Sequence, residues 1–245
     1  MTSEKVFKGL NTGLGAIFDW SCYFILLIIA FILWDSFTVT KAAAAEQIDM
    51  SLKPVPDQVT GKMSLEDLQA INPDAVGWLT IDDTPIDYPV MQGDPEFTYL
   101  NHDIYGNTSL TGSLYISVFA DRYFNDYYTV VYGHHMSGGL MFGSLDNYKD
   151  INYFNNHLEG LLVTENETYD LTVLALVKTD AYNEGLYIQN TVEAVKAWES
   201  DGSVQTLTGS IDSLEQNDKL LILSTCSSNG TTERTILITR LTLKR

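Results

Sequence analysis

Cysteine is scarce in this sequence, with two residues in 245, Cys22 and Cys226. So few thiols exclude a disulfide-rich scaffold and a four-cysteine zinc site. Basic residues are also few, 14 Lys and Arg against 32 Asp and Glu, for a formal net charge of −18. Gripping phosphates requires a basic patch, so nucleic acid is excluded as the main partner. Charged residues make up 19% against 45% hydrophobic, which rules out a disordered or collagen-like chain. There is no internal repeat and no low-complexity segment.

The charge is unevenly placed. Residues 1–45 hold Lys5, Lys8 and Lys41 against Glu4, Asp19 and Asp35, so the whole of the −18 lies in residues 46–245. The neutral part contains the longest apolar run, WSCYFILLIIAFILW at 20–34. Fifteen helical residues rise about 22 Å, and the flanking apolar residues 14–18 and 37–39 extend the run toward the roughly 30 Å of a hydrocarbon core. Trp20 and Trp34 fall where aromatic belts form, and Asp19 and Asp35 bracket them. Lys5 and Lys8 precede the run and Lys41 alone follows closely, so the positive-inside bias places the N-terminus in the cytoplasm. Ala42 to Ala45 resemble a signal-peptidase site, but the span is longer than a usual signal segment and reads as an uncleaved anchor.

Residues 40–63, with Pro54, Pro56 and Gly61, read as a stalk. Ser64 begins a capping-box-like start to a short helix that ends at Asn72-Pro73. From Gly77 the period changes to eight short β-branched and aromatic runs, at 78–81, 86–90, 114–118, 128–132, 161–164, 169–177, 220–224 and 235–243. Such spacing predicts a sandwich or closed barrel. One helix interrupts them, predicted over 191–198 with Thr191 as its cap and Val192, Val195 and Trp198 on one face. Sequons occur at Asn107, Asn166 and Asn229.

Three kinds of side chain carry candidate chemistry: a thiol, a guanidinium and an imidazole. Cys226 ends the run 220–226 and starts a polar loop, where a nucleophile is held rigidly yet stays accessible. Arg234 opens the next run eight residues later. If the intervening loop is a hairpin, the two residues face each other, and a guanidinium there can lower a thiol pKa or donate to an oxyanion. Tyr-Gly-His-His-Met (132–136) supplies adjacent histidines, and imidazole is the usual acid and base near neutral pH. Strand parity does not choose between His134 and His135. His102 and His157 are isolated and read as structural. A histidine pair with one thiol suggests zinc, but the ligand spacing is irregular.

The ordered set of Tyr-Gly-His-His-Met (132–136), Met-Phe-Gly-Ser-Leu (141–145), Leu-Ser-Thr-Cys (223–226) and Arg234 resembles the class B sortases. Val-Gly-Trp (76–78), Ile-Asp-Tyr-Pro-Val (86–90), Tyr-Leu-Asn-His-Asp (99–103) and Tyr-Gly (105–106) extend the resemblance from about residue 65 to 243. It implies a mainly β fold, an eight-stranded sortase-like β-barrel with N-terminal helices and a helix between strands 6 and 7, preceded by a transmembrane helix. The implied organisation is a cytoplasmic N-terminus at 1–13, a transmembrane signal-anchor at 14–39, the stalk at 40–63 and an extracellular catalytic domain at 64–245 of a Gram-positive cell. Carried over, Cys226 is the nucleophile of a cysteine transpeptidase, His134 the acid and base, and Arg234 the oxyanion or substrate-backbone binder. Ser224 and Thr225 become substrate contacts. The expected partners are surface proteins or pilins with a C-terminal sorting motif, and an amine from a peptidoglycan precursor or a pilin lysine. No cofactor or metal is implied. Where relatives often carry an acidic residue after a Gly-x-Ile-Phe strand, this chain has Ser117 at the end of Gly-Ser-Leu-Tyr-Ile-Ser (112–117). A cysteine hydrolase would look similar in sequence. A non-enzymatic tethered surface protein is expected to end in a sorting motif and apolar tail, whereas residues 239–245 continue a strand-like run.

Overall fold

The computed structural model describes residues 3–45, 49–56, 63–183, 185, 191–202, 204–226 and 232–244, and of residues 3–16, 39–45, 199, 201 and 226 the backbone alone. Two units emerge, residues 1–45 and 46–245. The first is one helix, α1 (Ser3–Ala45), which runs unbroken through residues 40–45 that the sequence assigns to the stalk. Its segment Ile17–Thr38, 22 residues of mean hydropathy 2.2 with no buried side chains, is long and apolar enough for a membrane span or a signal sequence. At 1.5 Å per residue it rises about 33 Å.

The second unit begins with α2 (Glu66–Ile71), where the Ser64 hydroxyl accepts from Glu66 N at 3.1 Å. Among the described residues nine strands follow: β1 (Ala75–Ile81), β2 (Asp87–Met91), β3 (Leu114–Ile116), β4 (Tyr128–Tyr132), β5 (Glu159–Thr164), β6 (Thr168–Asp180), β7 (Gln205–Gly209), β8 (Lys219–Cys226) and β9 (Glu233–Leu243). Short helix α3 (Ile151–Asn156) precedes β5, and α4 (Val192–Asp201) lies between β6 and β7. The sheet order is β5-β1-β2-β3-β4-β8-β9-β6, and β6 pairs again with β5 to close an eight-stranded barrel. β6 has 13 residues, enough to pair with β5 at Thr168–Thr172 and with β7 at Ala175–Lys178 along its length. The ninth strand, β7, is this addition, which the hydrophobic pattern does not reveal because Gln-Thr-Leu-Thr-Gly buries only Thr208.

Alternation along the strands separates two apolar faces. Leu221, Leu223 and Leu237 fill the barrel with Leu79, Val131 and Leu176. Ile222, Ile236 and Ile238 face outward and pack with Val192, Val195 and Trp198 of α4. Thr191 caps that helix, accepting from Ala194 N at 3.2 Å, and Gly202 ends it with φ of 73°.

A polar hub stitches β1 to β2. Asp87 accepts from Trp78 Nε1 at 2.7 Å, Thr80 Oγ1 at 2.8 Å and Lys53 Nζ at 2.6 Å. Trp78 is buried, so losing this acceptor leaves an indole N–H with no partner in an apolar setting. Asp87→Ala should therefore destabilise the fold by about 2 kcal/mol, read as a lower urea midpoint. Asp87→Asn, which keeps one acceptor oxygen, should lose less.

Candidate active site

β8 and β9 form the antiparallel pair on which the hairpin expectation rested, with Cys226 opposite Arg234 in register. β4 lies on the other side of β8, parallel to it, with Tyr132 opposite Ser224. Tyr115 of β3 lies opposite Tyr132. Positions 222, 224 and 226 of β8 share one parity, and Ile222 of that set faces out of the barrel. The outer face of β3-β4-β8-β9 is thus a floor that runs toward positions 226 and 234.

Over this floor lies a cleft of about 400 Å³. Tyr115, Tyr132, Gly133, His134, Ser224, Thr225 and Arg234 line it, joined by Glu96, Phe97 and Leu100 from the segment after β2 and by Ala181 from the end of β6. The Tyr115 and Tyr132 rings stack at 5.4 Å, and Phe97 meets Tyr115 edge-on at 6.4 Å. The cleft lining thus combines an aromatic group with His134 and Arg234.

The structure brings His134, Arg234, Ser224 and Thr225 to this one cleft and places the backbone of Cys226 at its edge in β8. The Cys226 side chain, Asn229 and residues 227–231 lie outside the described residues. Ser224 and Thr225 are both buried, and Thr225 Oγ1 has no hydrogen-bond partner among the described residues.

The adjacent histidines diverge. His134 Nε2 donates to Leu100 O at 2.7 Å. His135 Nε2 instead meets Asp146 Oδ2 at 2.9 Å, on the 3-10 segment Phe142–Lys149. His102 and His157 each tie Nδ1 to a main-chain carbonyl four residues earlier, at 2.8 and 2.7 Å, as structural residues do.

Burial pushes the Asp146 carboxyl up, but hydrogen bonds from Lys149 and His135 outweigh it and hold it below its ordinary 3.8. A depressed folded value gives stability that is present above the unfolded value and lost as pH falls through the folded one. Asp146→Asn should flatten the acid-side fall of Tm below about pH 4. The change will be small, because the Asp146 side chain is 37% exposed and water screens the pair. Beside Arg234, Asp180 is also held low by the N–H of Tyr182 and the Thr232 hydroxyl, with a further contribution from the Arg234 charge.

Sequence reasoning missed the wall formed by Glu96, Phe97, Leu100, Tyr115 and Tyr132. Glu96 Oε2 accepts from Ser117 Oγ at 3.2 Å and Val118 N at 2.8 Å, so a carboxylate does stand beside Ser117, supplied by a residue 21 positions earlier.

No family model matches the chain. Among curated proteins it is similar to sortase B of Listeria monocytogenes, 30% identical over 173 residues that cover 69% of this chain and 70% of that protein. Among solved structures it is similar to a Streptococcus pyogenes class B sortase involved in pilus biogenesis, with 31% identity, a TM-score of 0.63, and coverage of 72% of this chain and 97% of that one. Clostridium perfringens sortase B gives 26% identity and a TM-score of 0.64 over 73% of this chain and 100% of that one.

Proposed function

The chain belongs to the class B sortases, which are cysteine transpeptidases, and we propose that Cys226 is its nucleophile, His134 its general acid and base, and Arg234 the donor to the oxyanion. The observation that carries this reading is the register pair of Cys226 and Arg234 at a cleft that also holds His134.

The cycle follows from what each group can do. His134 takes the thiol proton, and the Cys226 thiolate attacks the threonyl carbonyl of a C-terminal sorting motif. Charge develops on the carbonyl oxygen, where a guanidinium donor lowers the barrier most because it is already in place. Removing one such donor costs roughly 10²–10³ in turnover in other acyl-transfer enzymes. Collapse breaks the peptide bond, His134 protonates the departing amine, and a thioacyl enzyme remains. An incoming amine gives its proton to His134, attacks the thioester and leaves as an amide, which restores the thiol. Ser224 and Thr225, beside the nucleophile, contact the motif. Helix α1 anchors the chain in the membrane, with residues 1–13 in the cytoplasm and residues 41–245 outside.

The amine comes from a peptidoglycan precursor in cell-wall anchoring, or from a pilin lysine in polymerisation. The Streptococcus pyogenes relative, involved in pilus biogenesis, supports the second. The test supplies a panel of sorting-motif peptides with triglycine or with a lysine-bearing pilin peptide, and identifies products by mass. An amide joined to either amine is the expected product, and the better acceptor separates anchoring from polymerisation. Free acid alone, with both amines present, would overturn the transfer step and favour a hydrolase of the same fold.

A further inference from the structure

The His134 ring makes one hydrogen bond among the described residues, from Nε2 to Leu100 O at 2.7 Å. A carbonyl oxygen has no proton to give, so Nε2 is the donor. In the neutral ring the lone pair then sits on Nδ1, which has no partner among the described residues.

The carbonyl that sets this tautomer is firmly seated. Its neighbour Tyr99 is buried, donates from its hydroxyl to Asp74 Oδ2 at 2.9 Å and accepts there from Asn72 Nδ2 at 2.8 Å. Tyr99 O accepts from Ser113 N at 2.9 Å. Gly112 packs directly behind the carbonyl with φ of +59°, and a Cβ there would lie 2.4 Å from Leu100 O and 2.7 Å from Tyr99 O. Both contacts are with backbone, so a side chain at 112 displaces the Leu100 carbonyl, and the positive φ adds strain.

We propose that Leu100 and Gly112 are positioning residues for His134: the Leu100 carbonyl, backed by Gly112, holds Nε2–H and leaves Nδ1 as the atom that exchanges protons with Cys226. This rests on the reading of His134 as acid and base. In the first step the S–H bond breaks and Nδ1–H forms, giving thiolate and imidazolium while Nε2–H stays in place. In the second, Nδ1–H breaks as the leaving amine nitrogen gains the proton. Between them the ring is cationic, and its bond to Leu100 O becomes charge-assisted and stronger. The carbonyl thus orients the base and steadies its charged form, the part that a third group plays in catalytic triads. The Leu100 side chain lines the same cleft, so one segment touches substrate and aims the imidazole.

The test is histidine-selective ¹⁵N NMR on the full chain in detergent micelles, paired with kinetics. Only four histidines contribute, and His134→Gln assigns the signal. Above the imidazole titration, His134 should read as the Nε2–H tautomer with a slowly exchanging Hε2 proton. His102 and His157, bonded through Nδ1, should read as the opposite tautomer and serve as internal references. Gly112→Ala should abolish the Hε2 signal and lower kcat roughly ten- to a hundred-fold, with KM much less affected. An Nδ1–H tautomer at His134 in the unmodified protein would overturn the proposal, and needs no variant to fold. So would a folded Gly112→Ala protein with the Hε2 signal and kcat intact. Full turnover in His134→Gln would instead sink the catalytic reading itself, whereas lost turnover together with an Nδ1–H tautomer would sink only the role of Leu100.

Discussion

Cys226→Ala should lose acyl transfer by at least about 10³-fold in kcat/KM while the barrel unfolds at an unchanged urea concentration. The thiolate forms the bond that splits one difficult amide exchange into two easier steps, and no neighbouring group among the described residues replaces it. Ser224 and Thr225 are the nearest hydroxyls along β8, and both are buried. The unchanged stability is part of the expectation, because residue 226 ends its strand. Cys22, in the apolar segment of α1, provides the contrast: Cys22→Ser should leave transfer unchanged. Peptide cleavage followed by chromatography checks both, and a Cys226→Ala protein that keeps a tenth of its turnover would remove the thiol from the mechanism.

The second large effect separates two adjacent histidines. His134→Ala should lower kcat roughly 10²–10⁴-fold, the usual contribution of a positioned acid and base. His135→Ala should cost no more than about tenfold, because it removes one partly exposed pair worth about 1 kcal/mol. The difference lies in what each ring touches. His134 lines the cleft and reaches Leu100 O, while His135 is spent on Asp146. Equal losses in both variants would mean that the loop as a whole, and not one imidazole, supports turnover.

Much of this architecture is legible in the chain because it is local. The eight runs of β-branched and aromatic residues mark the eight barrel strands, and Thr191 with its apolar face marks α4. The eight-residue spacing of Cys226 and Arg234 suits a hairpin, and their register pairing follows from it. What the chain conceals depends on contacts between distant segments. β7 is polar and survives as a strand because β6 is long enough to offer it an edge. The cleft wall joins Glu96 to Ser117 and Leu100 to His134, separations of 21 and 34 residues that no periodicity encodes. The choice between His134 and His135 is of the same kind, since each is selected by an acceptor on another element. Tyr115 and Tyr132 fall within predicted strand runs, and only the closed sheet reveals that they stack on its outer side.

Covalent capture at Cys226 is where the mechanism is most exposed. Full-length protein incubated with a sorting-motif peptide and no amine, quenched in acid and digested, should yield the tryptic peptide 220–234 heavier by the acyl fragment ending in threonine. Hydroxylamine should release that mass. An unmodified Cys226 peptide under conditions in which the motif is cleaved, or acyl mass on any other residue, would contradict a thioacyl enzyme on this cysteine.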